Sequence, residues 1–552
     1  MDNHNIEIET ALSIIEKYHE ISVVECTELF IIMNIKSAQF CLWLIAEYDH
    51  NRHMPIITAI EAQNGAFPHL ITRDFEIHGQ THQRVCLYED ESIVKSLFLG
   101  SEKIDFVIMQ LIRLLNLTPL RQEKEFQQEF LIYWNRAAVP KYKAELFITT
   151  SDKYSWLNVY HDHDSDKIKR IVHTDIYLND IKKRKLNSKI QALYIPIIDC
   201  RGILPPKVIN GWTVEDVLNV INDKQIAKIP YNTYSEILTY SHSGKSILLV
   251  FEMPINNTSV AFCCEIIFKN AGTMKLLKKI ETNVEEIRVI NTKRCDYEFL
   301  NTQIGNERSL IGKKVAIVGV GSLGSYIASE IVRIGIKDIV LFDSDTLEPE
   351  NLMRHRGRFL WYNCRKASVM EFELKSFHPQ VNIISINKLI TSENIIQLMP
   401  QDIDLVIFTV GSSDVQLECN RQLKQAHFNK PVLFCWLEGN GNIGHVLGID
   451  YSKEGCYQCL FTDTNGSWIN NKVNIVPESE LEHNFIRNGC GGTRVAYGNA
   501  SLLQTTYMTL GAIKKVVSGS IETNFLISFN GNGIVEDTDS FYERSCPCCH
   551  GD

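Results

Sequence analysis

Two cysteine pairs, one cysteine between glycines, and a set of cations after a glycine-rich turn are the residues here whose types and spacing could do chemistry. GCYQC carries Cys456 and Cys459, and SCPCC carries Cys546 and Cys549. Two CxxC pairs suit a tetrahedral site in which four thiolates hold one zinc ion, with Cys548 between ligands rather than among them. The alternative is a group of incidental thiols in a cysteine-rich segment. NGCGGT sets Cys490 between glycines, which strip away shielding and free the backbone. A mobile, exposed thiolate is what capture of an activated acyl group as a thioester requires; a tight turn with an inert thiol is the other reading.

The stretch VAIVGVGSLGSYIASEIVRIG supplies Gly319, Gly321 and Gly324 between a strand and a helix. Glycines there let backbone amides approach phosphate oxygens, and the helix N-terminus adds its positive dipole end. Asp343, ending the next strand, is placed to accept a ribose hydroxyl. A dehydrogenase would share all of this. The run DSDTLEPENLMRH then adds Asn351 and Arg354, Lys366 follows, and Asp414 comes just after LVIFTVG. A nicotinamide enzyme has no need of cations beside the sugar. Joining a carboxylate to ATP does, because both reactants are anions and a metal must sit on the phosphates.

The elements that must position these residues follow from periodicity. From about residue 312 the chain alternates strand and helix: KVAIVGV, a helix from Leu323 to Ile334, DIVLFD, then DLVIFTV and PVLFCW. That pattern predicts a mainly parallel sheet covered on both faces. Residues 8–19 have helical spacing, and strand-like runs follow (ISVVECTELFIIMNI, QFCLWLIAEY, PIITAIEAQ). After Cys86 the pattern turns helical (SIVKSLFL, FVIMQLIRLLNL, EFQQEFLIYW), which makes one α+β unit ending near residue 140. Residues 145–290 alternate β-rich runs such as SILLVFEMPI with polar, lysine-rich stretches, and carry no catalytic constellation.

GVGSLGS, DSDTLEPENLMRH, Lys366 and Asp414 together resemble the ThiF/MoeB/ubiquitin-activating adenylyltransferase superfamily over about residues 300–552. The resemblance implies Asp343 on the ribose, Asn351, Arg354 and Lys366 on the phosphates, and Asp414 holding magnesium. It also implies a structural zinc on the four cysteines. Glu418 stands where many relatives have arginine, and Arg308 is a candidate for the arginine that relatives donate across a homodimer. FPHLITRDFEIHGQTHQRVCLYED resembles the active-site region of bacterial ubiquitin-conjugating domains, in which a proline–histidine pair precedes a cysteine–leucine dipeptide. Cys86 would then be the conjugating cysteine, loaded from Cys490, with His69 or His82 orienting the loop or the thioester. A buried strand cysteine is the alternative.

The whole arrangement resembles the conjugating–activating fusion enzymes of bacterial CBASS anti-phage operons. It implies a ubiquitin-conjugating-like α+β domain at 1–142, an α/β connecting domain at 143–295, and a Rossmann-like ThiF-type adenylation domain at 296–552. The implied acyl donor is the C-terminus of a cGAS-like nucleotidyltransferase, which becomes joined to amines on target proteins, and the enzyme is expected as a homodimer. Rival readings are an activating enzyme with a non-catalytic docking domain, a sulfur-carrier adenylyltransferase, and a scaffold with a degenerate nucleotide site.

The bulk numbers agree with a soluble enzyme of several domains. The chain has 552 residues, 45% of them hydrophobic, and a formal charge of −10, which gives no support to a nucleic-acid partner. MDNHNIEIET does not read as a signal peptide, and no apolar run approaches the ~18 residues that span a bilayer. Sixteen cysteines without a secretion signal point to the reducing cytoplasm.

Overall fold

The computed structural model describes residues 8–44, 54–62, 66–77, 79–88, 100–162, 168–173, 191–208, 210–223, 225–256, 258–438, 443–463, 465–474, 485–487, 493–495, 497–519, 522–530, 534–537 and 546–550. The chain divides into two compact units, one ending at Arg294 and the other taking over at Cys295.

The first unit begins with helix α1 (Ile8–Ile15) and six antiparallel strands, β1 (Ile21–Cys26), β2 (Phe30–Ile35), β3 (Ala38–Trp43), β4 (Ile56–Ile60), β5 (Leu70–Ile77) and β6 (Gln80–Val85), in the order β1-β2-β3-β4-β6-β5. The apolar run at residues 21–35 is two strands, not one. Thr27 breaks it, because its hydroxyl accepts the amides of Leu29 and Phe30 at 3.2 and 3.1 Å and turns the chain back. Helix α2 (Gly100–Leu115) lays Ile104, Val107, Ile108, Leu111 and Leu114 on one face of this sheet, the spacing that gives a helix a single apolar stripe. The run SIVKSLFL lies outside the described residues. Helices α3 (Pro119–Gln128) and α4 (Phe130–Ala137) follow.

The same unit then closes a seven-stranded barrel. Its strands are β7 (Tyr142–Phe147), β8 (Ser155–Asp162), β9 (Ile168–His173), β10 (Gln191–Pro196), β11 (Ser246–Ile255), β12 (Thr258–Phe268) and β13 (Val284–Arg294), in the order β10-β11-β12-β13-β7-β9-β8. The run SILLVFEMPI, apolar from Ile247 to Phe251, is explained by burial on both faces. Leu248 and Val250 fill the interior, while Ile247, Leu249 and Phe251 meet helices α5 (Val214–Ile221), α6 (Tyr231–Thr239) and α7 (Leu276–Thr282) outside. The α/β texture expected for this region is instead a mixed barrel with flanking helices: β10–β11, β13–β7 and β7–β9 pair in parallel and the other neighbours antiparallel. Helix α4 also belongs to that outer core: Phe130 and Trp134 pack on Phe262, and the Trp134 indole donates to the Ile290 carbonyl at 3.0 Å. At one end of the interior Arg294 pairs with Glu252 at 2.8 Å, both nearly fully buried, and Tyr194, Thr150 and Ser259 take up the remaining hydrogen bonds.

The second unit contains helix α8 (Tyr297–Gln303) and an eight-stranded sheet. Strands β14 (Lys314–Val318), β15 (Asp338–Phe342), β16 (Asn382–Ile386), β17 (Leu405–Phe408) and β18 (Val432–Leu437) are parallel, in the order β16-β15-β14-β17-β18. Strands β19 (Gly444–Ile449), β20 (Phe525–Phe529) and β21 (Ile534–Asp537) extend it antiparallel. Helices α9 (Ser322–Arg333), α10 (Lys366–Phe377) and α12 (Asn499–Val517) contribute to the core on one face, and α11 (Ser413–Gln425) to that on the other. Strand order reverses between β14 and β17, so a crevice opens at their C-terminal ends, where open α/β sheets bind ligands. Among the described residues no helix is long and apolar enough to cross a membrane.

Candidate active site

The glycine turn closes the crevice from β14. Gly319 has φ +90°, in the left-handed region, and a Cβ there would lie 3.1 Å from the Val410 amide nitrogen. A Cβ on Gly324 would lie 2.0 Å from the Gly319 carbonyl oxygen, so this helical glycine is a packing requirement. Gly321 is different. Its φ is −75°, outside the left-handed region, and a Cβ would meet nothing within 4 Å among the described residues, so packing does not demand glycine there. What the missing side chain leaves is open space at the N-terminus of α9.

Asp343 sits just past β15. Its carboxylate accepts the amides of Val320 at 2.7 Å and Asp345 at 2.8 Å, which ties the glycine turn to the end of the second strand. Burial pushes its pKa upward, against the pull of those amides and of Lys366. Lys366 opens α10, with its side chain mostly buried and its Nζ 3.0 Å from the exposed Asp345 carboxylate. Asn351 accepts the Glu348 amide at 2.9 Å and closes its own turn. Arg354 follows on that turn, with Nη1 3.3 Å from the Tyr497 hydroxyl and the guanidinium 5.4 Å from the ring centre. Its Nε is buried and has no partner among the described residues. Asp414 is exposed in the first turn of α11, which Ser412 caps. Gly319, Gly321, Gly324, Asp343 and Lys366 thus share the crevice, and Arg354 approaches it beside Tyr497.

Two residues missed in the sequence hold this constellation. His355 donates from Nε2 to the Val320 carbonyl at 2.8 Å and accepts the Gly357 amide on Nδ1 at 2.8 Å. That requires a neutral imidazole, and burial, with Lys366 adding to it, lowers its pKa to about 4. Its place directly after Arg354 was the available signal. Thr409, at the end of β17, donates to the Gly319 carbonyl and joins the two strand ends.

The cysteine pairs come together on the other face of the same sheet. Cys456, Cys459, Cys546 and Cys549 have all their sulfur atoms within 4.8 Å of one another. Individual separations are 3.9, 3.6, 3.3 and 3.5 Å, against about 3.8 Å between thiolates on a tetrahedral zinc with ~2.3 Å bonds. Cys548 falls outside that set. Asn420 in α11 donates to the Cys456 sulfur at 3.5 Å, while its carbonyl accepts the Tyr457 amide and the Tyr451 hydroxyl. Ligand-orienting contacts of this kind are what a thiolate metal site needs around it.

Residues 301–541 match the family model of the ThiF family. This segment is a ThiF-family domain. The chain is 23% identical over 327 residues to the ATP-dependent ubiquitin transferase-like protein Cap2 of Pseudomonas aeruginosa, covering 56% of each. It is 27% identical over 210 residues to ubiquitin-like modifier-activating enzyme 5 of Drosophila persimilis, covering 33% of this chain and 52% of that one. The chain therefore spans only about half the length of these curated relatives. Among solved structures, E. coli MccB with ATP is similar at a TM-score of 0.35 and 19% identity, over 44% of this chain and 68% of that one. That likeness is too distant to inform the site.

Of the two sulfur nucleophiles expected, Cys490 lies outside the described residues, in the segment that follows the short strand Phe485–Arg487 and precedes Thr493–Val495 of the ThiF domain. Cys86, in the other unit, follows β6 as a half-buried thiol 3.7 Å from the Tyr88 carbonyl. Its amide donates to the His69 carbonyl at 2.8 Å. His82 is instead buried in the sheet, 3.0 Å from the Thr58 hydroxyl and packed on Trp43.

Proposed function

We propose that this protein is an ATP-dependent ubiquitin-like transferase. The observation that carries the reading is the crevice of the ThiF domain. An open glycine turn, Asp343, Lys366 and an arginine whose Nε has no partner among the described residues lie where an open α/β sheet takes its ligand. In this reading Asp343 takes the ribose, and the glycine turn from Gly319 lets the phosphates approach. The amides from Gly321 to Gly324 at the start of α9 face them with Asn351, Arg354 and Lys366, since the Gly319 and Val320 amides are taken by Phe342 and Asp343. Lys366 would exchange its solvent-exposed partner Asp345 for phosphate, so that its mostly buried charge stays paired. Asp414 would hold magnesium, whose charge shields the phosphates as a carboxylate approaches.

A carboxylate oxygen of the donor's C-terminus attacks the α-phosphorus of ATP, and pyrophosphate leaves. The Cys490 thiolate then attacks the acyl carbon and AMP leaves. Cys86 takes the acyl group in a near-isoenergetic thioester exchange, and an amine on a target protein attacks it, losing a proton and releasing the thiol. The likeness to an ATP-dependent ubiquitin transferase-like protein supports the transfer chemistry; a cGAS-like nucleotidyltransferase as donor and a role in anti-phage defence are what the resemblance to the CBASS fusion enzymes implies. The ubiquitin-conjugating-like N-terminal fold, a structural zinc on the four cysteines, a homodimer and a cytoplasmic location complete the proposal.

The test is a non-reducing gel of the chain with ATP, magnesium and a nucleotidyltransferase ending in glycine. Wild type should give a thiol-resistant conjugate. Cys86→Ala should stop at a thiol-sensitive adduct on Cys490, and Cys490→Ala should stop at the adenylate. Loading of Cys86 at the wild-type rate in Cys490→Ala would remove Cys490 from the pathway.

A further inference from the structure

We propose that His69 is a positioning residue for Cys86: gripped as an imidazolium between Glu125 and Glu129, it fixes the backbone carbonyl that receives the Cys86 amide. The inference rests on the reading of Cys86 as an acyl carrier, but its geometry stands separately. His69 Nε2 lies 3.2 Å from the Glu125 carboxylate, and Nδ1 lies 3.0 Å from that of Glu129. Carboxylates only accept, and a neutral imidazole has a single N–H, so both contacts are hydrogen bonds only when the ring carries two protons. The backbone of His69 has φ +67°, a left-handed conformation that disfavours residues other than glycine. Its carbonyl accepts the Cys86 amide at 2.8 Å. The next carbonyl, Leu70, accepts from Arg136 at 2.9 Å.

The gripping groups are anchored at a distance from Cys86. Glu125 is on α3, Glu129 joins α3 to α4, and α4 inserts Phe130 and Trp134 into the outer core of the barrel. On α3, Gln127 donates to the Cys200 carbonyl at 2.7 Å and Glu123 accepts the Gly202 amide at 2.6 Å. The Cys86 strand end is thereby tied, through His69, to helices that the barrel holds in place. The groups facing His69 are Glu125, Glu129, Tyr133 and Arg136 from the helices and Cys86 from its own side. Burial lowers the His69 pKa, but Glu129 and Glu125 outweigh it and leave it raised, with that of Glu129 correspondingly lowered. A raised folded-state value means the grip is complete below about 6.5 and is lost as pH rises through the folded value.

The experiment uses the full-length chain, with peptide-resolved iodoacetamide alkylation of Cys86 and amide exchange across residues 79–88, from pH 6 to 9. In wild type, Cys86 alkylation should rise above its simple thiol titration as His69 loses its proton, with a matching loss of amide protection. Glu125→Gln with Glu129→Gln should move that step to lower pH. His69→Ala should abolish it and slow acyl loading of Cys86 at least tenfold. His69→Arg, whose fork can meet both carboxylates at every pH, should restore loading to within threefold without the pH step. An unchanged alkylation profile in His69→Ala, or an arginine variant no better than alanine, would overturn the inference. If wild type itself fails to load Cys86, the conjugating role falls, while alkylation and exchange still decide whether the grip exists.

Discussion

Replacing Gly324 with alanine perturbs the fold of the crevice, and replacing Gly321 perturbs only what binds there. At position 324 the new Cβ would lie 2.0 Å from a backbone oxygen, Gly319 O, and 2.5 Å from the Thr409 hydroxyl. Backbone cannot rotate away as a side chain can, so the turn must move by more than an ångström. Overpacking of this kind costs about 1–3 kcal/mol. At ~2–4 °C of melting temperature per kcal/mol for a domain of this size, the loss is roughly 2–12 °C. At position 321 nothing among the described residues lies within 4 Å and φ is −75°, so no left-handed backbone opposes alanine. The weaker helix cap and the stiffer unfolded chain offset each other to within about 1 kcal/mol, so the melting point should move by no more than about 4 °C. The methyl group would instead occupy the space facing the phosphates and deny them one charge-assisted amide contact. That is worth about 1.5–3 kcal/mol, or ~10- to 150-fold in the KM for ATP. Pyrophosphate exchange with the donor protein gives the KM, and a thermal melt gives the stability. A Gly321→Ala chain with the wild-type KM for ATP would refute the assignment of this turn to the phosphates.

Further outcomes are expected. The four-cysteine cluster should hold about one zinc per chain; Cys456→Ser or Cys549→Ser should release it and Cys548→Ser should retain it, as read by metal analysis. Metal-free chains that melt as the wild type does would end that assignment. Asp414→Ala should abolish magnesium-dependent pyrophosphate exchange with little change in melting, since its side chain is exposed; full exchange would exclude it from the site. His355 stays neutral in the folded chain, with a pKa of about 4 against about 6.5 when unfolded. Stability should therefore be complete above 6.5 and fall as pH drops toward 4, by at most about 3 kcal/mol. His355→Gln should flatten that limb in acid-melting curves, and an unchanged limb would show that another group controls it.

What the sequence by itself determined is what local spacing encodes. The glycines, Asp343, Arg354 and Lys366 fall on one strand–turn–helix–strand stretch, and a strand end followed by a helix start puts such residues in a single crevice whatever surrounds them. The apolar stripe of α2 was legible for the same reason, since one face of one helix is a local property. Tertiary structure decided the rest. Cys459 and Cys546 are 87 positions apart, and only the fold brings their sulfur atoms to 3.3 Å. The barrel could not be read from β10 to β13 because closure is a matter of hydrogen bonds between distant strands, including the parallel pairing of Asn291 with Lys143. The run EFQQEFLIYW reads as a helix of the N-terminal unit, yet Phe130 and Trp134 serve the barrel core, because an apolar face carries no address for the surface it will bury against. His69 and His82 were equivalent as letters. One ended in the sheet and the other against Cys86 because β5 and β6 pair in a register that sets Leu70 opposite Val85, and with it the carbonyl of His69 against the next amide along.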